Sequence, residues 1–513
     1  MMHYPETGRV LIQCADVLEN MQRVLPLAET LRLRGMVPIL LTYSSDTGSF
    51  FSSRGFETVA LNPYRERVKR RHVKLGKLPK EFFADESFDI INASRTIDPV
   101  THSDAESTIY AVRQIGVALQ RLIKDRKIDW LITWNGVTGP TAIAMRLIGK
   151  SRNMSAGFME RGMLPGSLFY DVRGTNGAST LADGLTRVYS NIDVAKARAR
   201  KRLEVGLFTT PYVHSRSEKE RIIFLPLQVQ TDSNILLYSS RIKTMRQLVF
   251  QAVELATDLG NNWRVVVRDH PEEIESHLNL PIHPLVERDN ISQLDDMLER
   301  SAIVMTINST VGLTAALRGS IVVCHGQGIY SNEPFILRAH DHNQMGLADA
   351  VRAALDKAPD MEACRNFAAL LFDYHIVVPS DQALTDNSNV LRHFGSDSPA
   401  TVARLTTPLE RVRTNLQRHA KQGSPIPLCF RLSFREKIVK TYRIQEEVNP
   451  RNYLDTISEL FPGVSFTFQH PYQQAPPENT VLVLPAGKIS RDSTKFLAVL
   501  DEFGYPHMGC NHN

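Results

Sequence analysis

The pattern of apolar and polar positions alternates between two periods along the chain. Short β-branched or apolar runs recur at Arg9 to Cys14, Val37 to Thr42, Glu57 to Leu61, Trp130 to Trp134, Trp263 to Val267, Ala302 to Thr306 and Ile321 to Cys324. Between them, apolar residues fall three and four apart, as in Leu27, Ala28, Leu31 and in Ile109, Val112, Ile115, Leu119, Leu122, Ile123. Short continuous apolar runs suit buried strands and the 3.6 period suits amphipathic helices. Their alternation predicts an α/β architecture with doubly wound parallel sheets. Helices are expected at Ser107 to Lys124, Pro140 to Ile148, Thr244 to Leu259, Ser292 to Ser301 and onward to about Tyr374, with Ile291 strand-like.

The pattern restarts at Arg221 after a polar segment from Thr209 to Glu220. This divides the chain into a Rossmann-like unit over 1–207 and a second over 208–400. Beyond that the character changes: a basic helix (Leu409 to Lys421), a proline-rich HPYQQAPPEN and a strand from Val481 suggest a separate module over 401–513, without an assignable motif. From Asn62 to Ser87 runs a polar excursion carrying Arg65, Arg67, Lys69, Arg70, Arg71, Lys74, Lys77 and Lys80. It reads as a solvated loop or, more sharply, as a basic surface for anionic lipid headgroups or an anionic glycan.

The richest stretch is AIVMTINSTVGLTAAL, from Ala302 to Leu317: a strand, a polar turn at Asn308, Ser309 and Thr310, and a helix. Backbone N–H groups and the positive end of a helix dipole there suit a phosphate or carboxylate. The strand WRVVV likewise ends in Arg268-Asp269-His270-Pro271. Strand C-termini line the ligand crevice of a parallel sheet, so His270 and Ser309 are candidates to face one anion. A plain helix cap is the competing reading of the Asn308 to Thr310 turn.

Composition narrows the class. With 513 residues, 42% hydrophobic, 22% charged and a net charge of +5, the chain has ordinary globular values and too little charge to imply nucleic acid. No apolar run approaches the ~18 residues of a membrane span, and the N-terminus lacks a signal-peptide layout. The five cysteines (Cys14, Cys324, Cys364, Cys429, Cys510) are scattered without CxxC spacing, which indicates neither disulfides nor zinc. A soluble, cytoplasmic protein without metal or cofactor is expected.

Several segments resemble, in order, the motif series of the bacterial capsule-synthesis and lipopolysaccharide β-Kdo transferases. They are Glu160-Arg161-Gly162-Met163-Leu164-Pro165 with Gly174-Thr175-Asn176 and Ser179; Pro226-Leu227-Gln228-Val229-Gln230-Thr231-Asp232-Ser233; His270-Pro271; Asn308-Ser309-Thr310-Val311-Gly312-Leu313; and Gly326 to Tyr330. The likeness extends to the β-Kdo transferase modules of multidomain O-antigen assembly proteins. It implies a GT-B fold, with the acceptor in the N-terminal half and CMP-β-Kdo in the C-terminal half. Two departures stand out: Thr314 replaces a Glu found in many relatives, and Arg268-Asp269 replaces a Lys-x pair before His270.

On that resemblance, the single phosphate of CMP would be held by His270, Arg268 and the Asn308, Ser309, Thr310 turn, with Pro271, Gln228 and Ser233 completing the donor site and no metal required. A β donor giving a β product implies retention, most simply by double displacement. Asp232 is the expected nucleophile and Glu160 the expected general base on the acceptor side. The plainer alternatives are that Asp232 caps a helix starting at Ser233, and that Glu160 pairs with Arg161 or another base. Arg161, Gly162 and Asn176 are candidates for the acceptor or sugar pocket. The implied partners are CMP-Kdo and a surface-glycan acceptor, lipid-linked at the cytoplasmic face of the inner membrane. Competing functions are a GT-B transferase or epimerase using another nucleotide sugar, and a non-catalytic glycan-binding scaffold.

Overall fold

A computed structural model describes residues 8–70, 105–199 and 219–390, apart from 15–16, 165, 185–187, 230–231, 240, 243, 261, 272–282, 342–343, 380–386 and 388, together with strands between 426 and 511. The first unit contains β1 (Arg9–Gln13), β2 (Val37–Thr42), β3 (Glu57–Ala60), β4 (Trp130–Trp134), β5 (Ser155–Arg161) and β6 (Leu168–Asp171). The second contains β7 (Glu220–Pro226), β8 (Arg264–Arg268), β9 (Val286–Arg288), β10 (Ser301–Thr306), β11 (Ile321–Cys324) and β12 (Ile336–Arg338), and the short β13 (Ile376–Val377) follows. The sheet orders are β13-β6-β5-β4-β1-β2-β3 and β12-β11-β10-β7-β8-β9. These two Rossmann-like units are the α/β architecture expected of a GT-B fold.

Alternation along each strand explains why both sheets are covered on both faces. In β7, Ile222 and Phe224 enter one core while Ile223 and Leu225 enter the other. In β1, Val10 and Ile12 face one layer and Leu11 the opposite one. Successive strand side chains point to opposite faces, and each fully buried aliphatic contributes about 1.5–3 kcal/mol. The helix Met245–Leu259 starts where Thr244 and Gln247 form a capping box, with Gln247 N donating to Thr244 Oγ1 at 3.1 Å and Thr244 N to Gln247 Oε1 at 3.2 Å.

Several expectations need correction. The second sheet is wholly parallel, but the first is mixed, because β6 pairs antiparallel with β5 and β13 antiparallel with β6. The expected division at 208–400 is also crossed: after the helix Met361–Tyr374, the chain returns to the first sheet through β13. His375 fastens this return, its Nδ1 lying 3.0 Å from the Tyr170 carbonyl and its Nε2 2.6 Å from the Tyr189 hydroxyl. The strand expected at Ile291 lies at Val286–Arg288; Ile291 is 93% exposed in a bend, because Asp289 accepts from the N–H groups of Ile291 and Ser292 and turns the chain. The following helix is shorter than expected, Leu294–Arg300, and Ser301 already belongs to β10.

The basic excursion opens as a helix, Leu61–Arg70, rather than a loop. Arg65 there donates to Gln114 at 3.0 Å; the cations from Arg71 onward lie outside the described residues. Within 401–513, the strands Ile426–Phe430, Phe466–Phe468, Val481–Ala486, Leu497–Leu500 and Pro506–Asn511 form a five-stranded sheet with several parallel pairs. Among the described residues, no helix is long and apolar enough to cross a membrane.

Candidate active site

The centre of the second sheet is β10-β7, so the tips of these strands emerge side by side. After β7 the chain passes Gln228 and reaches Asp232, which caps the helix Ser233–Tyr238 by accepting from Asn234 N at 2.9 Å. Its other oxygen accepts from Gln228 Nε2 at 3.2 Å. After β10, Ser309 caps the helix Thr310–Leu317, accepting from Val311 N at 3.3 Å, and Thr310 is its first, exposed residue. Two links tie this turn to Asp232. Asn308 Nδ2 donates to Asn234 Oδ1 at 2.8 Å and to the Gln327 carbonyl at 2.6 Å, while Ser309 N donates to Thr306 Oγ1 at 3.1 Å, beside Gln228. The Asn308 side-chain carbonyl is buried without a partner.

Glu160 comes from the other unit, at the end of β5. Asn135 Nδ2 donates to its Oε2 at 3.1 Å, and Arg161 N to its Oε1 at 3.2 Å. Burial raises its carboxyl above the ordinary carboxylate value, the Asn135 and Arg161 hydrogen bonds oppose the shift, and the negative charge of Asp232 adds to it. The two expected carboxylates therefore stand in each other's field across the seam between the units. Asp232 does cap a helix, as the plainer reading had it, and Glu160 does bond to Arg161 through its backbone; neither role withdraws the carboxylate from the seam.

The remaining candidates divide. Asn176 adopts φ 53°, in the left-handed region that Asn tolerates, and opens the 3-10 turn Asn176–Ala178. This turn reaches the second unit: a Cβ on Gly177 would lie 2.6 Å from the Tyr238 ring and 2.9 Å from Gln327, so only glycine allows the approach. Gly162 serves the connection from β5 to β6, its N–H donating to the Ser167 carbonyl at 3.0 Å, where a Cβ would strike the Ser167 hydroxyl at 2.2 Å. Arg161 is exposed, and Ser233 starts its helix. At the β8 tip, Arg268 directs a guanidinium nitrogen to the Ser292 carbonyl and stands near Asp289, while His270 is half-buried and Pro271 exposed.

Sequence reasoning did not single out Asn135, Arg146 and Tyr238. Asn135 directly follows β4 as another polar strand tip, and its Oδ1 accepts from the N–H groups of Val137 and Thr138, both at 2.9 Å. Arg146 is the lone charge among the apolar residues of the helix Pro140–Ser151 until Lys150, a visible signal, and is fully buried with Nε donating to the Gly136 carbonyl at 3.0 Å. Tyr238 had no signal beyond its proximity in sequence to Asp232. Among the described residues, no group of three or more His, Cys, Asp or Glu is arranged to hold a metal ion.

Comparison with known proteins falls on the same region. Residues 212–336, which carry Asp232, His270 and the Asn308 to Thr310 turn, match the family model described as capsule polysaccharide biosynthesis protein. In this segment the chain is similar to the capsule-synthesis family. Protein FixF of Sinorhizobium fredii (strain NBRC 101917 / NGR234) is 29% identical over 263 residues, a match covering 48% of this chain and 61% of FixF. The chain thus spans about three-fifths of the length of that relative. Among solved structures, the β-Kdo 2,7 transferase of Thermosulfurimonas dismutans KpsC aligns at 19% identity with a TM-score of 0.38, covering 52% of this chain and 84% of its own. The β-Kdo 2,4 transferase of the same KpsC aligns at 15% identity with a TM-score of 0.35, covering 52% and 88%.

Proposed function

We propose that this chain is a retaining glycosyltransferase that moves Kdo from CMP-β-Kdo to a surface-polysaccharide acceptor with β linkage. The observation that carries the reading is the meeting of Asp232 and Glu160, which come from different units and face one seam. Each oxygen of Asp232 accepts one hydrogen bond, from Asn234 N and from Gln228, which orients the carboxylate. In the first displacement, an Asp232 oxygen attacks the anomeric carbon, and the bond to the phosphate oxygen breaks so that CMP leaves with the electron pair. In the second, Glu160 takes the proton of the acceptor hydroxyl as that oxygen attacks the anomeric carbon and releases Asp232. A carboxyl raised by burial is the better base near neutral pH, a role worth roughly 10²- to 10⁴-fold in rate.

The Asn308 to Thr310 turn, held against Asp232, is the proposed seat of the donor phosphate, with His270 at the neighbouring strand tip. No step here calls for a metal or cofactor. The acceptor is proposed to be a lipid-linked glycan of an O-antigen or capsule, at the cytoplasmic face of the inner membrane. The test is incubation with CMP-Kdo and no acceptor, followed by mass spectrometry. A Kdo-sized increase is expected on the peptide holding Asp232. With synthetic acceptors, NMR of the product should report a β linkage, and an α-linked product would remove the double displacement.

A further inference from the structure

Tyr238 ends the helix that Asp232 caps. It is 8% exposed, and its hydroxyl is buried with no hydrogen-bond partner. A buried hydroxyl left unpaired is destabilising. The residue is nevertheless firmly placed: its carbonyl accepts from Gln327 N at 2.8 Å, and its ring fills the space left by Gly177.

The charged groups acting on the hydroxyl are Arg146, on the helix Pro140–Ser151 between β4 and β5, and Glu160, near the end of β5. A guanidinium has no lone pair to offer, so Arg146 cannot accept from it. An ionised carboxylate has about four acceptor positions. The Glu160 hydrogen bonds described are those from Asn135 and from Arg161 N. Of the two charged neighbours, Glu160 alone can satisfy the tyrosine.

We propose that Tyr238 is a positioning residue for Glu160: a side-chain rotation at the seam brings its hydroxyl, unpaired in this conformation, to donate to the ionised Glu160 carboxylate and fixes the orientation in which that carboxylate faces Asp232. The significance for turnover rests on Glu160 being the base, whereas the contact itself does not. A donor to the charged form lowers a carboxyl pKa. Tyr238 would thus work with Asn135 and Arg161 against the burial and the Asp232 charge that raise Glu160.

Tyr238→Phe keeps the ring against Gly177 and removes only the O–H. Combined with Glu160→Gln and the double variant, it gives a cycle read by urea unfolding that needs no substrate. At pH 8 the two changes should be non-additive, with a coupling of roughly tenfold in the unfolding constant, as for a hydrogen bond to a charged group. The coupling should shrink at pH 4.5, as Glu160 takes up its proton. Additive effects at both pH values would overturn the contact. In Tyr238→Phe, the acid limb of kcat/KM for CMP-Kdo should also move up by about half a pH unit, since the carboxylate loses a donor, and an unmoved limb would overturn the positioning role. A coupled cycle in a protein that never turns over CMP-Kdo would leave the contact standing and remove the proposed donor.

Discussion

The tips of β7 and β10 and the tip of β8 look alike in sequence, each an apolar strand followed by polar residues, yet they are built differently. At the centre, Gln228, Thr306 and Asn308 are buried and bonded toward Asp232. At the β8 tip, the polar groups are spent on their own edge: Arg268 on the Ser292 carbonyl, and Asp269 on Asn290, whose Nδ2 donates to it at 2.9 Å. The cause is position in the sheet. β10 and β7 are central and meet the first unit through the helix Ser233–Tyr238 and the Gly177 turn, whereas β8 is flanked by the terminal strand β9, whose loop absorbs its polar ends. Topology, more than the motif, decides which tip is available for chemistry.

The largest test of the centre is Asp232→Asn. The amide is nearly isosteric and still caps the helix, so CMP should bind with little change, but it is a far poorer nucleophile than a carboxylate. Turnover should fall by about a thousandfold or more, equivalent to ~4 kcal/mol in the barrier, and the Kdo adduct at residue 232 should vanish. Near-normal turnover would break the comparison at its strong end.

The centre and the return strand should also dominate acid sensitivity. Burial pushes His325, after β11, down to about 3, with Arg241 and His340 adding to the shift. Burial likewise pushes His375 down to about 4, with the Tyr170 carbonyl opposing. The unfolded chain binds protons at both sites near pH 6.5, and the folded chain does not until well below. This stability is present above pH 6.5 and is lost as pH falls from there toward 4. Two such groups give a limiting slope of about 2.7 kcal/mol per pH unit. His325→Asn should flatten the decline in urea-unfolding stability between pH 6 and 4.5; an unchanged decline would count against the buried neutral imidazole.

Much of the fold was legible beforehand, for identifiable reasons, as was the placing of the candidate carboxylates at strand ends. The strands β1, β2, β4, β10 and β11 are short continuous apolar runs, and Asp232 and Glu160 follow or end such runs. What could not be read depends on contacts between residues distant in sequence. The return of Ile376–Val377 to the first sheet is fastened by His375 to Tyr170 and Tyr189, and nothing in the local sequence marks it. Tyr238 acquires its surroundings only when Gly177 and Glu160 arrive from the other unit. Arg268 is a candidate phosphate ligand because its charge is visible in sequence, while its bond to the Ser292 carbonyl is not.

A smaller effect is expected at the hub of the donor turn. Asn308→Ala removes the amide shared by Asn234 and the Gln327 carbonyl, leaving two acceptors without it in a buried setting. The loss should be about 2 kcal/mol in urea unfolding, within the 1–3 range for stranded buried polar groups. A change below ~0.5 kcal/mol would mean that water or the backbone replaces the amide at the centre.

The smallest effect belongs to the β8 tip. Arg268→Ala should cost about 1 kcal/mol or less, because its half-buried guanidinium bonds a single carbonyl at a partly solvated edge. Asp289 is held down to about 2 chiefly by the Ser292 side chain and the Ser292 and Ile291 N–H groups, with Arg268 adding only the weakest influence, so the loop should keep its shape without the cation. CMP affinity should change by less than about threefold, or ~0.65 kcal/mol, while His270→Ala at the same tip should weaken it more. Isothermal titration with CMP separates the alternatives. If Arg268→Ala loses tenfold or more, the guanidinium must leave the Ser292 carbonyl for the phosphate on binding. The β8 tip would then be a ligand arm in waiting, and the contrast with the centre would not survive binding.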